Sequence, residues 1–78
     1  MAEFKYEVKK NLGQLSEGRS GWSRQVNMVS WNDNPAKLDI RDWAPENAKM
    51  SKGVSLSYEE AAILREILNE IELDEVFD

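Results

Sequence analysis

Lys37, Asp39, Arg41 and Trp43 occupy alternate positions of one short run. An extended backbone sends alternate side chains to opposite faces, so in a strand these four share one face, and Leu38, Ile40 and Asp42 share the other. In the run before it, Gln25, Asn27, Val29 and Trp31 fall on one face, and Val26 and Met28 on the other. The apolar sides need cover from the rest of the protein. The opposite sides then turn two cations, Lys37 and Arg41, and two tryptophans towards solvent. Such a surface suits unpaired nucleobases: bases stack on aromatic planes at about 1–3 kcal/mol each, while Lys and Arg follow the phosphates. Duplex DNA hides its base faces and would gain little from it. Trp and Arg are also the residues that anchor protein interfaces, so a protein-interaction module using the same face is the alternative.

Other chemistry finds little material. The chain has no Cys and no His, which removes thiolate metal sites, Cys nucleophiles, the commonest metal ligand and the commonest general base. The carboxylate pairs Glu59/Glu60 and Asp74/Glu75 lie in an acidic segment with no partner to fix them. Ser20 and Ser23 have no base near them in sequence, and Gly18 and Gly21 punctuate a turn without forming a phosphate loop. The chain is therefore read as a non-enzyme that needs no cofactor, metal or small-molecule substrate.

Steps of charge along the chain agree with an anionic partner. The formal charge is −5, yet residues 1–56 carry nine basic and seven acidic side chains, +2, and residues 57–78 carry one basic and eight acidic, −7. The first part can hold an anion that the last part repels. No apolar stretch is long enough to span a membrane, and Met1 to Lys5 has no apolar core of the kind a signal peptide needs. A cytoplasmic protein is expected, nucleoid-associated if bacterial.

These residues must be positioned by a small α+β domain over 1–78, with strands within about 3–56, a helix over about 58–72 and an acidic tail over 73–78. Phe4, Tyr6, Val8, Lys10 and Leu12 alternate with Lys5, Glu7, Lys9 and Asn11 as a first strand. Turns at Gly18–Gly21 and Asn32-Asp33-Asn34-Pro35 bracket a second strand, Trp22 to Trp31. Lys37 to Trp43 is the third strand, and Gly53 to Leu56, beyond a loop at Pro45-Glu46-Asn47, is the fourth. Ser57 stands three residues before Glu60, the spacing of a capping box, and starts the helix. The helix is apolar at Ala61, Ala62, Ile63, Leu64, Ile67, Leu68 and Ile71, more than one stripe against a sheet requires. A chain of 78 residues without disulfides is small for a stable core, so the surplus predicts a homodimer joined through Leu64, Ile67, Leu68 and Ile71.

The run Leu38-Asp39-Ile40-Arg41-Asp42-Trp43, followed by Lys52-Gly53-Val54-Ser55-Leu56-Ser57 and an acidic amphipathic helix, resembles the transcriptional positive cofactor four family of single-stranded DNA binders. It is most similar to the short bacterial members of the YdbC type, over roughly residues 22–71. The resemblance implies a four-stranded antiparallel sheet followed by one C-terminal helix, homodimerised, binding single-stranded DNA, with RNA left open, on the outward sheet surface. By position, Arg41 matches a strand arginine that contacts the DNA backbone, and Lys52 the basic residue before the last strand. Arg24 and Trp31 match a basic and an aromatic position, Lys37 a lysine after the turn, and Trp43 lies one residue before the family's tryptophan. With Lys9, Asn27 and Lys49 these are the candidate nucleic-acid contacts. Val29 and Ser51 stand where eukaryotic members tend to be basic, and their serine-rich arm has no counterpart here. The function expected is single-stranded DNA binding of low sequence specificity in transcription regulation, replication or repair.

Overall fold

The computed structural model describes residues 5–77. Strands β1 (Tyr6–Glu17), β2 (Ser23–Trp31), β3 (Lys37–Trp43) and β4 (Met50–Leu56) form one antiparallel sheet in the order β1-β2-β3-β4. Helix α1 (Tyr58–Glu70) follows, and then a single turn, α2 (Leu73–Val76). The expected α+β class and strand order are those observed. The expected positions Glu3 and Phe4 of the first strand and Asp78 of the tail lie outside the described residues. No described helix is long and apolar enough to cross a membrane.

Local chemistry accounts for the connections. Asn32 and Asp33 take positive φ (52° and 65°), a region these two side chains tolerate better than most, and the chain reverses there between β2 and β3. Asn32 Oδ1 also accepts from the Lys5 backbone N–H (3.0 Å), tying the residue before β1 to this turn. Gly21 has φ 80° and packs so closely on Pro45 that a Cβ there would stand 2.9 Å from its ring. Ser57 caps α1 as its spacing predicts: Ser57 Oγ accepts from the Glu60 N–H (3.2 Å), and Glu60 Oε1 accepts from the Ser57 N–H (2.9 Å).

β1 runs five residues beyond Leu12, where strict alternation ends. It skips a position three times against β2, leaving Lys9, Leu12 and Leu15 outside the ladder. Each such bulge bends the strand and adds right-handed twist while pairing continues beyond it. β4 starts three residues earlier than expected, at Met50, because a further irregularity between Arg41 and Trp43 lets it pair back to Trp43.

The bulges curl the sheet. Tyr6 pairs with Trp31 at one end of β2, and Trp43 pairs with Ser23 at the other end, yet the Tyr6 ring lies 5.8 Å from both tryptophans. Opposite corners of the ladder therefore meet across a concave face. That face holds Asn27, Val29 and Asp39, each with no exposed surface, and Trp43, with 1% exposed. This corrects one expectation. The face carrying Asp39, Arg41 and Trp43 does lie opposite the helix, but it does not turn those three towards solvent; curling makes it the interior.

The convex face carries two cross-strand rows, Met28–Leu38–Leu56 and Val26–Ile40–Val54. Tyr58 and Ala61 at the start of α1 stand beside the first row. The second row is left open, with Val54 about half exposed. No residue of α1 is buried: Leu64 is half-buried, as is Ile71 just beyond the helix, and Ile63, Ile67 and Leu68 are exposed.

Candidate nucleic-acid interface

The concave face is organised around Trp31, which is half-buried. Its indole N–H donates to Ser55 Oγ (3.1 Å), and the Ser55 hydroxyl donates in turn to Asp39 Oδ2 (2.8 Å). Arg41 closes the circuit. Its Nε–H donates to Asp39 Oδ1 (2.6 Å), one Nη2–H donates to Asp39 Oδ2 (2.7 Å), and Nη1–H donates to the Ser51 carbonyl (3.1 Å). The guanidinium carbon lies 4.6 Å from the centre of the Trp31 ring, a cation–π distance. Asp39 is fully enclosed and the Arg41 side chain is 13% exposed. A buried carboxylate survives only when paired and hydrogen-bonded, and the bidentate fork of arginine meets that need.

Gly53 makes room for this pair. It faces Arg41 across the β3–β4 ladder, and a Cβ at Gly53 would collide with the Arg41 Cβ. The glycine is an opening for the arginine, and no positive φ is involved.

A second set of polar groups crosses the same face. Asn11 Nδ2 donates to Asn27 Oδ1 (2.7 Å), and Asn27 Nδ2 to Gln25 Oε1 (3.2 Å). Gln25 Nε2 then donates to Ser23 Oγ (2.9 Å) and Asn47 Oδ1 (3.1 Å). Asn27, a candidate contact by sequence, is thus an enclosed link in an amide chain whose end members, Asn11 and Asn47, are exposed. Trp43 is enclosed as well, its ring beside Tyr6, and its indole N–H has no hydrogen-bond partner among the described residues.

The cations divide between positions. Lys37 stands at the start of β3 on the concave side, opposite Val29, and is exposed; Lys49 is exposed in the β3–β4 connection. Lys9 is one of the bulged residues of β1 and pairs with Glu7 (3.1 Å). Arg24 lies on the convex face and pairs with Asp42 in two hydrogen bonds (2.8 and 3.3 Å). Its hydrogen bond holds the Asp42 carboxyl below the usual carboxylate range, and the same bond raises Arg24. Exposed Lys52 lines the same shallow convex depression as Arg24 and Asp42. Among the described residues no carboxylate lies within ion-pairing distance of Lys37, Lys49 or Lys52. The fold therefore brings Trp31, Arg41, Asn27 and Trp43 to one face, with Lys37 at its margin, and sends Arg24 and Lys52 to the other.

Sequence reasoning missed Tyr6, Asp39, Ser55 and Gly53 as parts of this site. Asp39 and Arg41 carried a signal, opposite charges two residues apart on one strand face. Tyr6 carried none, because its approach to Trp43 is made only by the curl. No group of described side chains converges in a way that would hold a metal ion.

The fold and this face define a small α+β domain built on a curled antiparallel meander, with aromatic, amide and cationic side chains gathered on its concave side. The chain belongs to the transcriptional coactivator p15 (PC4) family, whose model matches residues 19–67. It is also 47% identical over 72 residues to an uncharacterized protein of Treponema pallidum (strain Nichols), an alignment that covers 92% of this chain and 85% of that one. Membership suggests a transcription-related function that rests on binding single-stranded DNA, in a family of nucleic-acid binders that are not enzymes.

Proposed function

We propose that the protein is a homodimer that binds single-stranded DNA with little sequence preference, in transcription regulation, replication or repair. The observation that carries this reading is the Trp31 ring, held at its N–H and across its face yet still partly exposed, beside a face edged by Lys37, which has no carboxylate within ion-pairing distance among the described residues. A fixed aromatic plane stacks with any base, and a lysine without an internal partner has its charge available for phosphate. Lys37, Lys49 and the exposed Lys9 are the proposed phosphate contacts; Lys52, on the convex face, is not among them. Trp43, enclosed beside the Tyr6 ring, has almost no surface to offer a base.

The dimer rests on the uncovered apolar surface. Val54 of the second row and Ile63, Ile67 and Leu68 on α1 are exposed in the protomer, with Val26 and Ile40 only partly covered, in a chain too small to leave such area exposed without loss. Leu64, Ile67, Leu68 and Ile71 are the proposed helix contacts with the second copy.

Anisotropy titrations of oligo-dT, oligo-U and duplex DNA at several salt concentrations test the reading. Three phosphate contacts on a single strand predict that a fourfold rise in salt weakens binding roughly 20-fold. Binding of duplex equal to that of oligo-dT, or affinity indifferent to salt, would refute it.

A further inference from the structure

We infer that Arg41 is a positioning residue, not a phosphate ligand: paired with Asp39, it holds the Trp31 ring in the orientation in which a base stacks on it. The inference rests on the single-stranded DNA reading above and concerns how that site works. A strand arginine on a nucleic-acid-binding face would ordinarily be assigned to a phosphate. Here its charge is already spent. Both oxygens of a fully enclosed Asp39 face it at 2.6 and 2.7 Å, and a third hydrogen bond goes to the Ser51 carbonyl. Turning the guanidinium outwards to a phosphate would strand Asp39 without a counter-charge inside the protein, the costliest way to break such a pair.

The same two residues reach Trp31 by separate routes. The guanidinium lies over its ring, and Asp39 holds Ser55 Oγ, which accepts the indole N–H. The ring is thus fixed across its face and at its nitrogen through one carboxylate. Gly53 shows that the fold keeps space for the arrangement, since any Cβ there would strike Arg41. A lysine cannot reproduce it, because an ammonium offers no planar fork to Asp39 and no flat cation to the indole.

The test is oligo-dT anisotropy across a salt series for wild type, Arg41→Lys, Arg41→Gln and Trp31→Phe, with Arg41→Lys repeated in the Trp31→Phe background. Circular dichroism melts accompany each variant. The expected result is that Arg41→Lys, although it keeps the charge, weakens binding roughly 10-fold, on the scale of one lost base stack. Arg41→Gln should weaken it to a similar degree with the wild-type salt slope, and Arg41→Lys should add nothing further once Trp31 is Phe. A merely structural role would weaken both backgrounds alike. If Arg41→Gln fails to fold through the stranded Asp39, Asp39→Asn/Arg41→Gln removes both charges together and takes its place. Near-wild-type binding by Arg41→Lys, with a salt slope about 0.7 lower in the Gln variant, would make Arg41 a phosphate ligand and overturn the inference while leaving the binding reading intact. A wild type that ignores oligo-dT would instead remove the binding reading itself, and this inference with it.

Discussion

Trp43 offers the sharpest test of the curled sheet, because the two sides of a strand predict opposite outcomes for it. On an exposed face its loss would weaken DNA binding and leave the fold almost untouched. In the structure its side chain is 1% exposed, with the Tyr6 ring 5.8 Å away, at the place where two corners of the sheet meet. Truncating a tryptophan so enclosed costs about 3–5 kcal/mol. A domain of 78 residues has only about 4–12 kcal/mol in total at the usual value per residue. Trp43→Ala should therefore remove about a quarter or more of the stability and leave a substantial unfolded fraction at room temperature if the protein lies at the low end.

Trp43→Phe refines the argument. The Trp43 indole N–H is buried without a hydrogen-bond partner among the described residues, a condition that costs about 1–3 kcal/mol. Phenylalanine removes that donor along with part of the ring, and the two effects oppose each other. We expect Trp43→Phe to lie within about 1–2 kcal/mol of wild type, far above the alanine variant. Urea denaturation followed by far-ultraviolet circular dichroism, at one fixed protein concentration because self-association contributes to apparent stability, measures both. An alanine variant with the wild-type midpoint but no oligo-dT binding would refute the enclosed placement. Equal losses for Phe and Ala would show that the indole N–H has a partner after all.

Three further outcomes follow from particular contacts. Gly53→Ala should lower stability by about 1–3 kcal/mol and the melting temperature with it, because the new Cβ meets the Arg41 Cβ and the Ile40 carbonyl and must push β4 from β3; an unchanged melt would contradict the close approach. Ile67→Glu or Leu68→Glu, placing a charge within the proposed dimer contact, should yield a smaller, less stable species in sedimentation, and a folded wild-type monomer at micromolar concentration would exclude the dimer. The Asp42 carboxyl, lowered by its hydrogen bond from Arg24, should add stability that is present above about pH 4 and lost as the pH falls through the depressed value, so Asp42→Asn should lower stability slightly near neutrality and flatten the acid limb, its pH–stability curve converging on the wild-type curve at low pH.

What the sequence determined by itself is local. Alternation of polar and apolar residues defines β3 at Lys37–Trp43 and assigns the faces of β2 and β3 correctly, since period two is a property of one strand's own backbone. The Ser57/Glu60 box marks the start of α1 because both partners lie within one turn. The Leu38–Trp43 and Lys52–Ser57 runs carry the family resemblance, and the family match includes both. Which face becomes the interior is not local. It depends on three bulges in β1, at Lys9, Leu12 and Leu15, which exist only relative to the register of β2. Those bulges bend a sheet whose outer corners then close on Tyr6, so that Trp43 and Asp39 are enclosed and Trp31 is left partly exposed. A strand pattern says which side chains share a face; only the curvature of the assembled sheet decides whether that face meets water.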